Sequence, residues 1–234
     1  MKKSICFMFL FFIIPQCLIF SKENHEVFYT FTHVFDRGLE SNNNYPSLYY
    51  KGQWDKASFT GAFQSGRDLT DITLAAEYFP FIFTGQNNSQ KKLGCDFIYH
   101  VQYHELFCEQ DFLLGTDFNW KTGSGFFLGT SFWLKYKYTD IYGIKDGITK
   151  FEPDISFTVA KDFSYGTRLG FTHAFHSLFR YNSATESVFT FFVRQDFSKG
   201  LSIKTEADFV FTDHLAAVNH LESSALRFAL GVRF

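Results

Sequence analysis

The residues of this 234-residue chain that could do chemistry fall on alternate positions rather than in compact clusters. Glu152 and Asp154, then Arg168, then Arg194, then Lys204, Glu206 and Asp208, then Arg227 and Arg233 all belong to stretches in which every second position is apolar or small. Rows of both signs can line a wet passage and select solutes, or they can close into a salt-bridge lattice that fills a narrow tube. In either case a charge held away from bulk water must be paired or hydrated. The mixed signs argue against strong selectivity for anions or for cations.

The histidines read as polar lining rather than as metal ligands. His100 and His104 share parity with Asp96, and His33 is a candidate to join them from an earlier stretch. Residues four apart on a strand are separated by about 13 Å at roughly 3.3 Å per residue, so two such histidines cannot hold one metal by themselves. Asp213, His214, His220 and Glu222 bracket one connection without a compact ligand spacing. No metal and no other cofactor is expected there.

The elements that must position these residues are β-strands. From Leu93 to Tyr103 every odd position is apolar, while Asp96, His100, Gln102 and His104 share the other face. The odd positions from Phe151 to Val159 are apolar and the even ones are Glu152, Asp154, Ser156 and Thr158. Leu201 to Phe211 repeats the pattern, and Phe126 to Tyr138 carries it on even positions. Further candidate strands cover 26–36, 47–54, 56–65, 69–81, 107–120, 164–176 and 187–197. Period two puts one set on each face of a strand, and no stretch sustains a helical period.

The final stretch is the most regular. Leu226, Phe228, Leu230, Val232 and Phe234 alternate with Arg227, Ala229, Gly231 and Arg233. This ending resembles the closing strand of Gram-negative outer-membrane β-barrels, in which a terminal Phe with apolar residues at every second preceding position is read by the barrel-assembly machinery. The resemblance implies an all-β fold, a closed antiparallel transmembrane barrel, with outer-membrane lipid and that machinery as partners. It names no subfamily.

Composition agrees with a barrel. The chain is 46% hydrophobic with 34 Phe, 12 Tyr and 3 Trp, yet its mean hydropathy is only −0.10. Strands with lipid on one side and a polar lumen on the other reconcile these two facts. With 22 basic against 24 acidic residues, nothing suggests nucleic acid. Lys2 and Lys3 followed by an apolar run from Ile5 to Phe20 read as a secretory signal over residues 1–21, leaving one domain over 22–234. Cys6 and Cys17 fall in that leader. Cys95 and Cys108 remain, and the strand reading puts Cys95 opposite roughly position 116, which disfavours a bridge.

Connections come in two kinds. Asp162-Phe163-Ser164, Ser198-Lys199-Gly200 and Lys121 to Gly125 read as tight turns, and 139–150, 177–186 and 213–222 as longer polar loops. Short periplasmic turns and long external loops are the barrel arrangement. Splitting 47–65 at Asp55-Lys56 gives twelve strands with both termini in the periplasm; ten is the second choice. Phe79, Phe81, Phe83, Trp120, Tyr136, Tyr138 and Phe175 lie near strand ends and read as interfacial girdles.

The function expected from these features is a narrow passive channel, porin-like, for small hydrophilic solutes. A non-conducting structural or adhesive barrel is the alternative. A lipid-acting hydrolase comes third: such barrels place a catalytic His and Ser two apart on one strand, and the chain has no His-x-Ser, only His176-Ser177 with Asn182 and Glu186 nearby. No catalytic residue is therefore assigned.

Overall fold

The computed structural model describes residues 24–37, 41–66, 69–85, 88–143, 147–176, 186–197, 200–212 and 221–234. The segment expected to be a leader, the connection bearing Asp213, His214 and His220, and the candidates Ser177 and Asn182 lie outside the described residues. Twelve strands account for almost all of the rest: β1 Asn24–Asp36, β2 Ser41–Gln53, β3 Ala57–Ser65, β4 Leu69–Thr84, β5 Gln90–His104, β6 Phe107–Lys121, β7 Phe126–Ile141, β8 Ile148–Asp162, β9 Thr167–His176, β10 Glu186–Asp196, β11 Leu201–Phe211 and β12 Leu221–Arg233. Each pairs antiparallel with the next, and β12 pairs back onto β1 to close the barrel. Closure leaves no edge strand, so no row of backbone N–H and C=O groups faces lipid unpaired.

The alternation read from the sequence sets the two faces. Leu226, Phe228, Leu230, Val232 and Phe234 all stand exposed on the outside, as do Phe126, Leu128, Phe132 and Leu134. Exposed apolar surface of this extent around a whole barrel is stable only against lipid.

The prolines among the described residues sit where a ladder partner is missing, because Pro has no N–H to donate. Pro46 pairs with Phe31 on β1, while the β2–β3 ladder starts one residue later, at Ser47. Pro80 lies in an interruption between Tyr78 and Phe81, where β4 shifts register against β5. Pro153 faces Leu134 on β7, and the described β8–β9 ladder begins only at Ile155.

The interruption at Pro80 also corrects one expectation. The two unpaired residues let Tyr78 and Phe81 both face outward, and Phe79 turns to the lumen side instead. There it is buried over Gly94 and beneath the Lys92 ammonium, 5.4 Å from the ring centre. Phe79 is therefore no part of an outer girdle, although Phe81 and Phe83 are exposed as expected.

At one end of the barrel the turns are tight and stitched together. The N–H of Asp162 bonds to the Gly125 carbonyl at 2.8 Å, that of Asp196 to Gly166 at 2.9 Å, and that of Arg233 to Gly200 at 2.6 Å. Gly125 has φ +87°, and a Cβ there would meet the Asp162 carbonyl oxygen at 2.7 Å; Gly166 and Gly200 repeat both features. Here the expected boundary moves: Asp162 still belongs to β8, and β9 begins at Thr167 rather than 164. At the opposite, loop end, β7 and β8 extend to Ile141 and Ile148 and shorten the loop expected at 139–150.

Candidate functional site

The polar faces of all twelve strands meet in the lumen. The nine charged residues named from the sequence are drawn into separate ion-pair networks rather than one site. On β7 and β8, Lys135 Nζ bonds Glu152 at 3.3 Å and Asp154 at 3.1 Å. At the turn end, Arg168 reaches Asp162 at 3.3 Å, and Lys121 bonds the same carboxylate at 2.8 Å. On β11 and β12, Lys204 bonds Glu206 at 2.7 Å, while Arg227 bonds Glu206 at 3.1 Å and also Asp208, which accepts from the Thr190 hydroxyl at 2.7 Å.

The remaining two, Arg194 and Arg233, meet on Glu26 of β1. Arg194 holds that carboxylate through both oxygens, at 3.1 and 2.6 Å, and Arg233 donates to it at 2.8 Å. Asp196 joins the pair, at 2.8 Å from Arg194 and 3.2 Å from Arg233. A two-pronged Arg–carboxylate bond fixes orientation as well as charge, and the guanidinium stacks 5.5 Å over Phe28.

Sequence reasoning missed Glu26, Lys135 and most of the carboxylates on β4 to β6. Glu77 and Asp96 are directly paired across strands, and Asp117 lies on the neighbouring strand one lumen-facing position further on. Asp96, Asp111 and Asp117 are buried, each with one oxygen lacking a protein partner. His100 bridges Asp71 at 2.7 Å and Asp111 at 3.6 Å, as its inward parity requires. His33 does not join it: the lumen parity of β1 is even, so His33 faces outward and pairs with Asn44 at 2.9 Å.

Lumenal aromatics are laid flat on the wall by glycines. Trp133 is the cross-strand partner of Gly115, Phe192 of Gly170, and Phe28 of Gly231. In each case a Cβ on the glycine would stand within 2.1–2.3 Å of the ring. A large side chain thus covers bare backbone instead of projecting across the tube.

Among the described residues, two cavities stand out. A cavity of about 550 Å³ is bordered by β10 to β12 and β1 to β4, reaching Val34 and Ala225 towards the loop end. A second, of about 330 Å³, opens at the turn end between Asn24, Gln53 and Phe163. On the opposite wall Lys135, Glu152 and Asp154 are buried against one another.

A His–Ser pair does exist, though not where the sequence suggested. On the outer face His173 of β9 and Ser187 of β10 lie 2.7 Å apart, ring nitrogen to hydroxyl. Ser187 has no exposed surface at all, and the His173 ring stacks on Phe189 at 3.9 Å. A nucleophile must be reachable by its substrate as well as by its base, so this pair reads as two polar groups satisfying each other among phenylalanines.

The architecture has clear counterparts. No protein-family model and no curated protein matches the sequence. Solved structures do match: the KdgM porin is 7% identical, with 88% of this chain and 99% of that chain covered and a TM-score of 0.56. The NanC porin is 12% identical over 87% of this chain and 98% of that one, with a TM-score of 0.58. An outer-membrane channel from Pseudomonas putida F1 is 12% identical over 91% and 95%, with a TM-score of 0.55. The fold is that of the bacterial outer-membrane β-barrels.

Proposed function

We propose that this chain is a passive outer-membrane channel that lets small hydrophilic solutes cross through its lumen. One observation carries the reading: within a closed barrel with an apolar exterior, two polar cavities of about 550 and 330 Å³ adjoin from the loop end to the turn end. Their lining includes Lys51, Arg194, Lys204 and Arg227 together with Glu26, Asp71 and Glu206, so a passing solute meets both signs. Flattened aromatics and small residues such as Ala225 and Ala229 keep the passage from being filled. The porin folds of KdgM and NanC support the same reading at the level of architecture.

The test is single-channel recording. Residues 22–234, refolded and inserted in a planar bilayer under a salt gradient, should give discrete current steps and a small reversal potential. A folded, heat-modifiable barrel that stays silent would refute the channel.

A further inference from the structure

We infer that the Glu26–Arg194 bridge is the constriction of the lumen and its charge filter; this rests on the channel reading above. The larger cavity runs from the loop end down to Glu26, Lys51 and Arg194. The smaller runs from the turn end up to the same three residues, and among the described residues no other borders both. Passage from one to the other is therefore across this level.

The geometry at that level is a chord. Arg194 stands on β10 and Glu26 on β1, with β11 and β12 between them in the sheet. The guanidinium leaves its own strand and spans both neighbours to reach the carboxylate, over a sequence separation of 168 residues. Arg233 and Asp196 close the bonds into a ring with side chains from β1, β10 and β12. The chord crosses the level at which the two cavities meet. Lys51 borders both cavities at this same depth.

A charge at a narrowing walled by low-dielectric protein sets ion preference far more strongly than the same charge in a wide section. At this ring Lys51, Arg194 and Arg233 face Glu26 and Asp196. Removing Glu26 leaves three cations against one carboxylate, and removing Arg194 leaves two against two.

Reversal potentials of inserted single channels test the assignment. Glu26→Gln should shift the anion-to-cation permeability ratio towards anions by about twofold or more, and Arg194→Gln should shift it towards cations. Glu206→Gln removes the same charge in the wide cavity and should shift it distinctly less. Equal shifts for Glu26→Gln and Glu206→Gln, with the wild-type channel conducting, would overturn the constriction and leave the channel standing; a silent wild type would overturn the channel itself. Should Glu26→Gln not fold, the cation-ward shift in Arg194→Gln, compared with that in Lys204→Gln, decides the same point.

Discussion

Trp133 donates its indole N–H to the carboxylate of Asp96 across the bare backbone of Gly115. Three strands take part, β5, β6 and β7, and the middle one contributes only the absence of a side chain. A Cβ on Gly115 would stand 2.2 Å from the Trp133 ring, 2.5 Å from an Asp96 oxygen and 2.6 Å from the Phe132 carbonyl.

Gly115→Ala is accordingly expected to destabilise the barrel by about 1–3 kcal/mol, as overpacking does. Gly61→Ala, where the nearest atom would be 3.6 Å away, should be near neutral. Urea unfolding midpoints of the two variants in lipid vesicles check the contrast.

Phe228 and Ala229 are sequence neighbours on opposite faces of β12. Phe228→Arg puts a charge against lipid and should cost about 2–4 kcal/mol if it lies at mid-depth. Ala229→Arg points into the larger cavity and should leave the barrel folded while lowering its conductance. Heat-modifiability on gels reads the first, and single-channel current the second.

Asp117 keeps one buried oxygen without a protein partner, close to Asp96 and Glu77. An uncompensated buried carboxylate costs free energy that an amide of the same shape does not. Asp117→Asn should therefore raise stability, by about 1–3 kcal/mol. A lowered unfolding midpoint would count against this account of the β4–β6 wall.

Cys95 faces Thr116 and Cys108 faces Tyr103 on the same hairpin, so the two thiols are displaced by eight positions, about 26 Å along the strands. A disulfide needs Cα atoms within about 7 Å. Both cysteines should react with a thiol reagent after denaturation without reductant, and migration on gels should not change on reduction.

Phe234 exchanges two backbone bonds with His25, at 3.2 and 3.0 Å, and its ring stacks on the His25 ring at 5.9 Å. Deleting Phe234 removes these from the β1–β12 seam and should reduce the amount of folded protein in the membrane. Normal levels of the deletion variant would argue against a role for this residue in assembly.

The faces of the strands were legible because each carries its own signal: Glu152 and Asp154 differ from Phe151 and Ile155 by one position, and period two does the rest. The pairing of Cys95 near position 116 followed from the same rule, whereas the split at Asp55-Lys56 followed from the even strand count that puts both termini at one end of the barrel. Strand ends were less legible where alternation fades. Ser41 to Pro46 is polar and carries a Pro, yet it pairs with β1, because that ladder extends past the point where β3 joins. Partners within the lumen were not legible at all. Glu26 meets Arg194 only because closure brings β1 beside β12 and the arginine is long enough to cross two strands, and neither fact has a local trace. His33 was misplaced for a related reason: one-residue parity on β1 could not be anchored without its register.

Eleven of the twelve strand pairings join consecutive strands, and the remaining one joins residues as distant as Glu26 and Arg233, 207 positions apart. Consecutive antiparallel strands can form early at a small loop-closure cost, whereas the seam demands that both margins of an almost complete sheet find each other. The slow step of folding is then expected to be the meeting of β1 with β12, and the sheet awaiting it carries two unsatisfied margins prone to pairing with another chain. The bonds from Glu26 to Arg194 and Arg233 would form at that moment, so the bridge proposed above as the constriction would also be the latch that ends folding.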